Sequence, residues 1–164
     1  MTRTSKRMIW MLLIVIGLAP ACIARRTVTA SRAADPIDGR VALLITHAVE
    51  ARTQAAEQAA FDELEKLGCA AVPAIIQRMD DRRPLPVRYI SLENKSPQAF
   101  EAIRQYGPEE VVDALAAILN QLTGQHFEFI YNGASDDLRA KSVAGWRAFL
   151  RRTPADRLCS GDSP

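Results

Sequence analysis

The sequence predicts an all-α fold, built of antiparallel helical hairpins stacked as a short solenoid or an irregular bundle. Three observations carry that expectation. Apolar residues recur at helical spacing over most of residues 38–152. Glycine, proline and serine punctuate the stripes where helices end or begin. The connectors between neighbouring stripes are mostly short, which favours antiparallel packing of successive helices.

The elements follow in order. Asp38 is placed to cap a helix over residues 39–51, in which Val41, Leu44, Ile45 and Val49 share one face. A second helix covers residues 53–68. Its stripe is Ala60, Phe61, Leu64 and Leu67, Asp62 and Lys66 are spaced as an i,i+4 pair, and Gly68 suits a left-handed end. A third covers residues 70–81, with Pro73 in its first turn and Val72, Ile75, Ile76 and Met79 facing inward. Pro84 and Pro86 stop it, and residues 87–94 read as a short extended piece. Ser96 and Pro97 open a short fourth helix that Gly107 closes.

The fifth helix, residues 108–124, has the strongest pattern. Pro108 starts it, Glu109 and Glu110 lie at its positive end, and Val111, Leu115, Ile118 and Leu122 form its stripe. An aromatic connector, residues 125–133, contains an Asn132-Gly133 turn. Ser135 caps the sixth helix, whose inner face is Val143, Trp146, Phe149 and Leu150. Residues 153–164 read as a loose C-terminal tail.

The N-terminus reads as an export segment. A basic start, "MTRTSKR", precedes the uncharged run Met8 to Ala24, 17 residues long. This is the layout of a signal peptide, or of a retained membrane anchor, over residues 1–24. Residues 25–37 read as a flexible linker. The segment also explains the charge. Of 21 basic side chains, Arg3, Lys6 and Arg7 lie within it, which leaves 18 against 19 acidic ones. The overall pI near 8.6 therefore reflects the export signal and gives no support to a nucleic-acid partner. Contact with the membrane is expected only through the N-terminal segment.

Export implies an oxidising compartment for the three cysteines. Cys22 stands where a lipoprotein carries its acylated cysteine, although Ala-Pro-Ala before it departs from the usual lipobox. Cys69 and Cys159 are then an even pair, and a bridge between them would close a loop of about 90 residues. The other reading makes Cys69 a small buried apolar residue and Cys159 a free thiol on the tail.

The text "AAFDELEKLGCAAVPAIIQRMDD" resembles a HEAT repeat. A helix ends in Leu-x-x-Leu-Gly, small residues follow, and Val-Pro-Ala-Ile-Ile opens the next helix. The stretch "LAAILNQLTGQHFEFIYNGASDDLRAKSVAGWRAFL" is similar to the last unit of small exported bacterial HEAT-like proteins. Together these cover about half of the chain, while residues 80–107 depart from the usual period of about 40–47 residues. The resemblance implies a surface that binds another macromolecule, and it implies no substrate.

Catalytic patterns do not occur. The sequence lacks a nucleophile elbow, a phosphate-binding glycine loop, a CxxC and an HExxH. His47 and Glu50 are spaced to share one metal, but nothing near them supplies further ligands. The acidic pairs Asp80-Asp81, Glu109-Glu110 and Asp136-Asp137 lie at helix ends, where they serve capping and the helix dipole. No cofactor and no metal is expected.

Candidate contact residues lie instead on two connectors. One carries Arg82, Arg83, Arg88 and Tyr89; the other carries His126, Phe127 and Tyr131. Arginine and aromatic residues are the types enriched at binding hot spots. The plainer reading assigns the arginines to helix ends and the aromatic rings to the core. The expected function is a non-enzymatic, exported helical interaction or scaffold protein that binds another protein in the cell envelope, located in the periplasm or tethered to the membrane. The alternative is a periplasmic immunity protein or inhibitor of a toxin or envelope hydrolase. A third class, a hydrolase with an unrecognised site, would centre on His47 and Glu50.

Overall fold

The computed structural model describes residues 36–96 and 99–159. The chain divides into two units, residues 1–31 and 32–164, and the described residues all belong to the second. The expected export segment and the acylation site at Cys22 lie outside the described residues. Among those residues, no helix is long and apolar enough to cross a membrane.

The fold is mostly helical, with one small sheet. In chain order the elements are α1 (Pro36–Glu50), α2 (Gln54–Lys66), a 3-10 turn (Gly68–Ala71), α3 (Val72–Gln77), β1 (Ile90–Glu93), β2 (Ile103–Tyr106), α4 (Val111–Thr123), α5 (Asp136–Arg152) and a second 3-10 turn (Ala155–Arg157). Helix α1 packs against α2, and α3 packs against α1, α4 and α5.

Helix α4 forms the centre. Every residue of it except Asn120 is buried. A helix that is apolar on all sides belongs inside a fold, and Ala114, Ala116 and Ala117 let its neighbours come close. It touches α3, α5, β1 and the first 3-10 turn. Its start lies three residues later than expected. Pro108 precedes the helix, Glu110 is the N-cap, and Glu110 with Asp113 makes a capping box. Gly124, at φ 70°, closes its far end.

Asp38 does not cap α1 but lies in its first turn. Its carboxylate takes a two-pronged pair from Arg78, at 2.5 and 2.9 Å, which ties the start of α1 to the end of α3. On α2, Lys66 pairs with Glu63 rather than with Asp62, which instead accepts a hydrogen bond from Gln58. Helix α3 stops at Gln77, and Met79, just beyond it, is still fully buried.

The fourth predicted helix does not form among the described residues. Ile103–Tyr106 is a strand that pairs antiparallel with β1, with Ile90 opposite Tyr106 and Leu92 opposite Arg104. The helical reading fails for a physical reason. Phe100 and Ile103 are both exposed, so their i,i+3 spacing faces no packing surface. Tyr106, by contrast, is buried beside the buried Ile90 and Leu92. The Ser96 carbonyl accepts from Ala99 N–H at 2.9 Å.

Through residue 159 the C-terminal tail is pinned rather than loose. Leu158 is buried, and Cys159 is bonded to Cys69 with their Cα atoms 5.9 Å apart.

Candidate protein-contact surface

Two long connectors approach each other, and buried polar groups shape both. The first runs from α3 to β1. Its early part is stitched to the residues that lead into α4: Leu85 N–H donates to the Glu109 carbonyl at 2.9 Å, and Val111 N–H donates to the Arg83 carbonyl at 3.0 Å. Leu85 is buried. Further on, Val87 N–H donates to the Glu57 carboxylate at 3.0 Å. Glu57 is fully buried. Burial pushes its carboxyl above the ordinary range, and the N–H groups of Val87, Arg88 and Tyr89 partly offset that rise. Its Oε1 completes no hydrogen bond of normal geometry. Arg88 is left-handed, at φ 59°. Consecutive amides around a left-handed residue form a concavity suited to an anion, and here a side chain from α2 fills it.

The second connector runs from α4 to α5. Gln125 N–H donates to Thr123 Oγ1 at 3.1 Å, and Asn120 Nδ2 donates to the Gln125 carbonyl at 2.9 Å. Phe127 turns inward, edge-on to Trp146 with ring centroids 4.9 Å apart. It covers Gly145 so closely that a Cβ there would lie 2.6 Å from Phe127 Cβ. Tyr131 is buried edge-on against Tyr106 at 5.5 Å. Its hydroxyl has no hydrogen-bond partner among the described residues, and desolvation pushes it up to about 12. The segment ends in a tight turn, with Gly133 N–H donating to the Ile130 carbonyl at 3.1 Å.

The connectors meet at Gly107. Its N–H donates to Asn132 Oδ1 at 2.7 Å, and a Cβ on it would lie 3.7 Å from the Arg88 carbonyl oxygen. A cluster of charges lies at the neighbouring helix ends. Arg139 is 4% exposed and forms a two-pronged pair with the fully buried Asp113, at 2.8 and 2.7 Å. Asp113 Oδ2 also accepts from the N–H groups of Glu109 and Glu110, each at 3.1 Å. Arg82 bridges Glu110 and Asp136 and so links the starts of α4 and α5. Arg147 pairs with Asp80. Arg82, Arg139 and Arg147 line a cleft of about 480 Å³ together with Met79, Asp80 and Val143. Arg82, Arg139 and Arg147 already face carboxylates, and Arg151, which also lines the cleft, makes no ion pair among the described residues.

The candidate contact residues therefore fall into three groups. Arg82 and Arg83 are engaged in ion pairs, Arg83 with Asp81 of its own turn. Phe127 and Tyr131 pack inward, and Tyr89 is half-buried. Arg88 and His126 are exposed. His126 stacks on Phe129, with centroids 5.1 Å apart, and Phe129 is 73% exposed. His47 and Glu50 are exposed on α1, and no group of three or more metal-ligating side chains occurs among the described residues.

Glu57, Asp113 and Arg139 escaped the sequence reading, whereas Phe129 is one ring of the aromatic connector, for which core packing is the plainer expectation, and it is exposed. Spacing gave a usable signal for two of them. Glu57 lies four and seven residues before Phe61 and Leu64, and Arg139 lies four and seven before Val143 and Trp146. Each thus falls on a buried helix face. No family model, curated protein or solved structure matches this chain, so the likeness to HEAT repeats rests on the residues that carry it.

Proposed function

We propose that this chain is an exported, non-enzymatic interaction protein that binds another protein in the cell envelope. Its helices serve as a short HEAT-like stack or irregular bundle that displays two connectors. One observation carries the reading: exposed Arg88 and the exposed His126–Phe129 pair sit on connectors that contacts with the rest of the fold hold in shape and that meet at Gly107. Glu57 fixes the first connector, and Phe127 with Asn132 fixes the second. Loops ordered in advance lose little entropy on binding, and arginine and aromatic side chains make the strongest anchors. Location in the periplasm, or on the membrane through the N-terminal segment, belongs to the same proposal.

The test is crosslinking in intact cells followed by quantitative identification of the bound proteins. The full chain is compared with its Arg88→Ala and Phe129→Ala forms. The same partner should fall by about tenfold or more with each substitution. If both variants capture the wild-type set undiminished, the connectors are not the contact surface.

A further inference from the structure

The two-stranded sheet has one closed edge and one open edge. On β1, Ser91 N–H donates to Gln58 Oε1 at 2.8 Å, and Gln58 Nε2 donates to the Ser91 carbonyl at 2.7 Å. The Gln58 amide thus stands where a further strand would lie. Both Ser91 groups point away from β2, so Ser91 and Gln105 form the pair that exchanges no hydrogen bonds. Asn94 N–H donating to the Ala102 carbonyl at 2.9 Å fixes the same alternation. It follows that the N–H and carbonyl groups of Ile103 and Gln105 point out of the far edge of β2. None of these four groups has a hydrogen-bond partner among the described residues. Ile103, Arg104 and Gln105 are all exposed, and Phe100, fully exposed, adds apolar surface nearby.

We infer that the outer edge of β2 is a strand-addition site for an extended segment of a partner polypeptide that places a carboxylate side chain opposite Arg104. Four outward backbone groups at strand spacing select an extended backbone as the occupant. Arg104 selects its charge. A second copy of this chain is disfavoured by geometry. The symmetric pairing that satisfies all four groups is centred on Arg104 and sets two arginines directly opposite, about 4.5 Å apart at Cα. Shifting one way pairs Ile103 with Gly107, whose N–H is already given to Asn132. Shifting the other way pairs Gln105 with Glu101, which lies in a bend outside the strand. The edge is thus guarded against itself, as charged edges commonly are, and remains open to a strand of complementary charge. This inference does not depend on the connectors binding anything.

The experiment uses the isotope-labelled full chain and two capped seven-residue peptides of alternating threonine and valine, one with glutamate and one with lysine at the centre. The readouts are amide shifts and hydrogen exchange at Ile103 and Gln105. The glutamate peptide should protect both amides and bind at least about fivefold more tightly than the lysine peptide. Arg104→Glu should reverse that preference. Gln105→Pro removes an outward N–H without touching the β1 ladder, and it should abolish binding while Leu92 stays protected. Absence of any effect at these amides up to millimolar peptide overturns the inference. So does equal affinity for the two peptides whatever residue stands at 104.

Discussion

Glu57 is a carboxylate surrounded by the fold, and its consequences can be worked out with sign. Its ordinary pKa is 4.5, and burial raises it in the native state. Between those two values the native protein holds a proton that the unfolded chain has released. Stability from this group is therefore fully present below pH 4.5 and falls as the pH climbs through the native value. Glu57→Gln keeps an acceptor for Val87 N–H and removes the charge. Urea unfolding across pH should show the variant gaining on the wild type above pH 4.5 and exceeding it at pH 7. Asp38 and Asp136 have the opposite sign. Hydrogen bonds from Arg78 and Arg82 hold them below the usual 3.8, so their contribution disappears as the pH falls through those lowered values. Arg139 gives a second test. Arg139→Met leaves the buried Asp113 carboxylate without its cation, and the expected loss is about 3–5 kcal/mol by denaturant unfolding. A loss under about 1 kcal/mol would show that Asp113 finds another partner or takes up a proton.

Helix α5 and the connector before it depend on one glycine. Phe127 lies over Gly145 and against Trp146, so an added methyl collides with Phe127 Cβ, an atom fixed to its own backbone. Gly145→Ala gains about 0.5–1 kcal/mol of helix propensity and loses about 1–3 kcal/mol to overpacking. The net expectation is destabilisation, with a shift in Trp146 fluorescence as Phe127 is displaced. Several elements were legible in sequence for local reasons. Gly68 and Gly124 mark helix ends through their positive φ, and Ser135 caps α5 with its hydroxyl on Leu138 N–H at 3.4 Å. Residues 103–106 were not legible as a strand, because what decides their state is the partner strand at residues 90–93 and not their own spacing.

The Cys69–Cys159 bridge closes the molecule, joining the turn after α2 to the end of the described chain. In the chain-entropy account, a loop of this length stabilises by on the order of 3–5 kcal/mol. Cys159→Ser should lower the calorimetric Tm. A reductant should bring the wild type down to the same value and leave the variant unmoved. A reductant-insensitive wild type would show that the bridge does not form. Of the candidate contact surface, the sequence pointed to both connectors by their length and residue types. It could not separate Arg88, which reaches solvent, from Arg82, which bridges Glu110 and Asp136.

Sequence alone determined most of the apolar stripes that form helices, which segment is most deeply apolar, and the helix ends at Gly68, Gly124 and Ser135, because these depend on residues a few positions apart. Tertiary structure alone decided that Asp113 lies buried, which partners Glu57 and Arg139 find, that residues 103–106 form a strand, and which side chains on the connectors remain free. Pairing is set by partners ten or more residues away in the chain, and no local pattern names them.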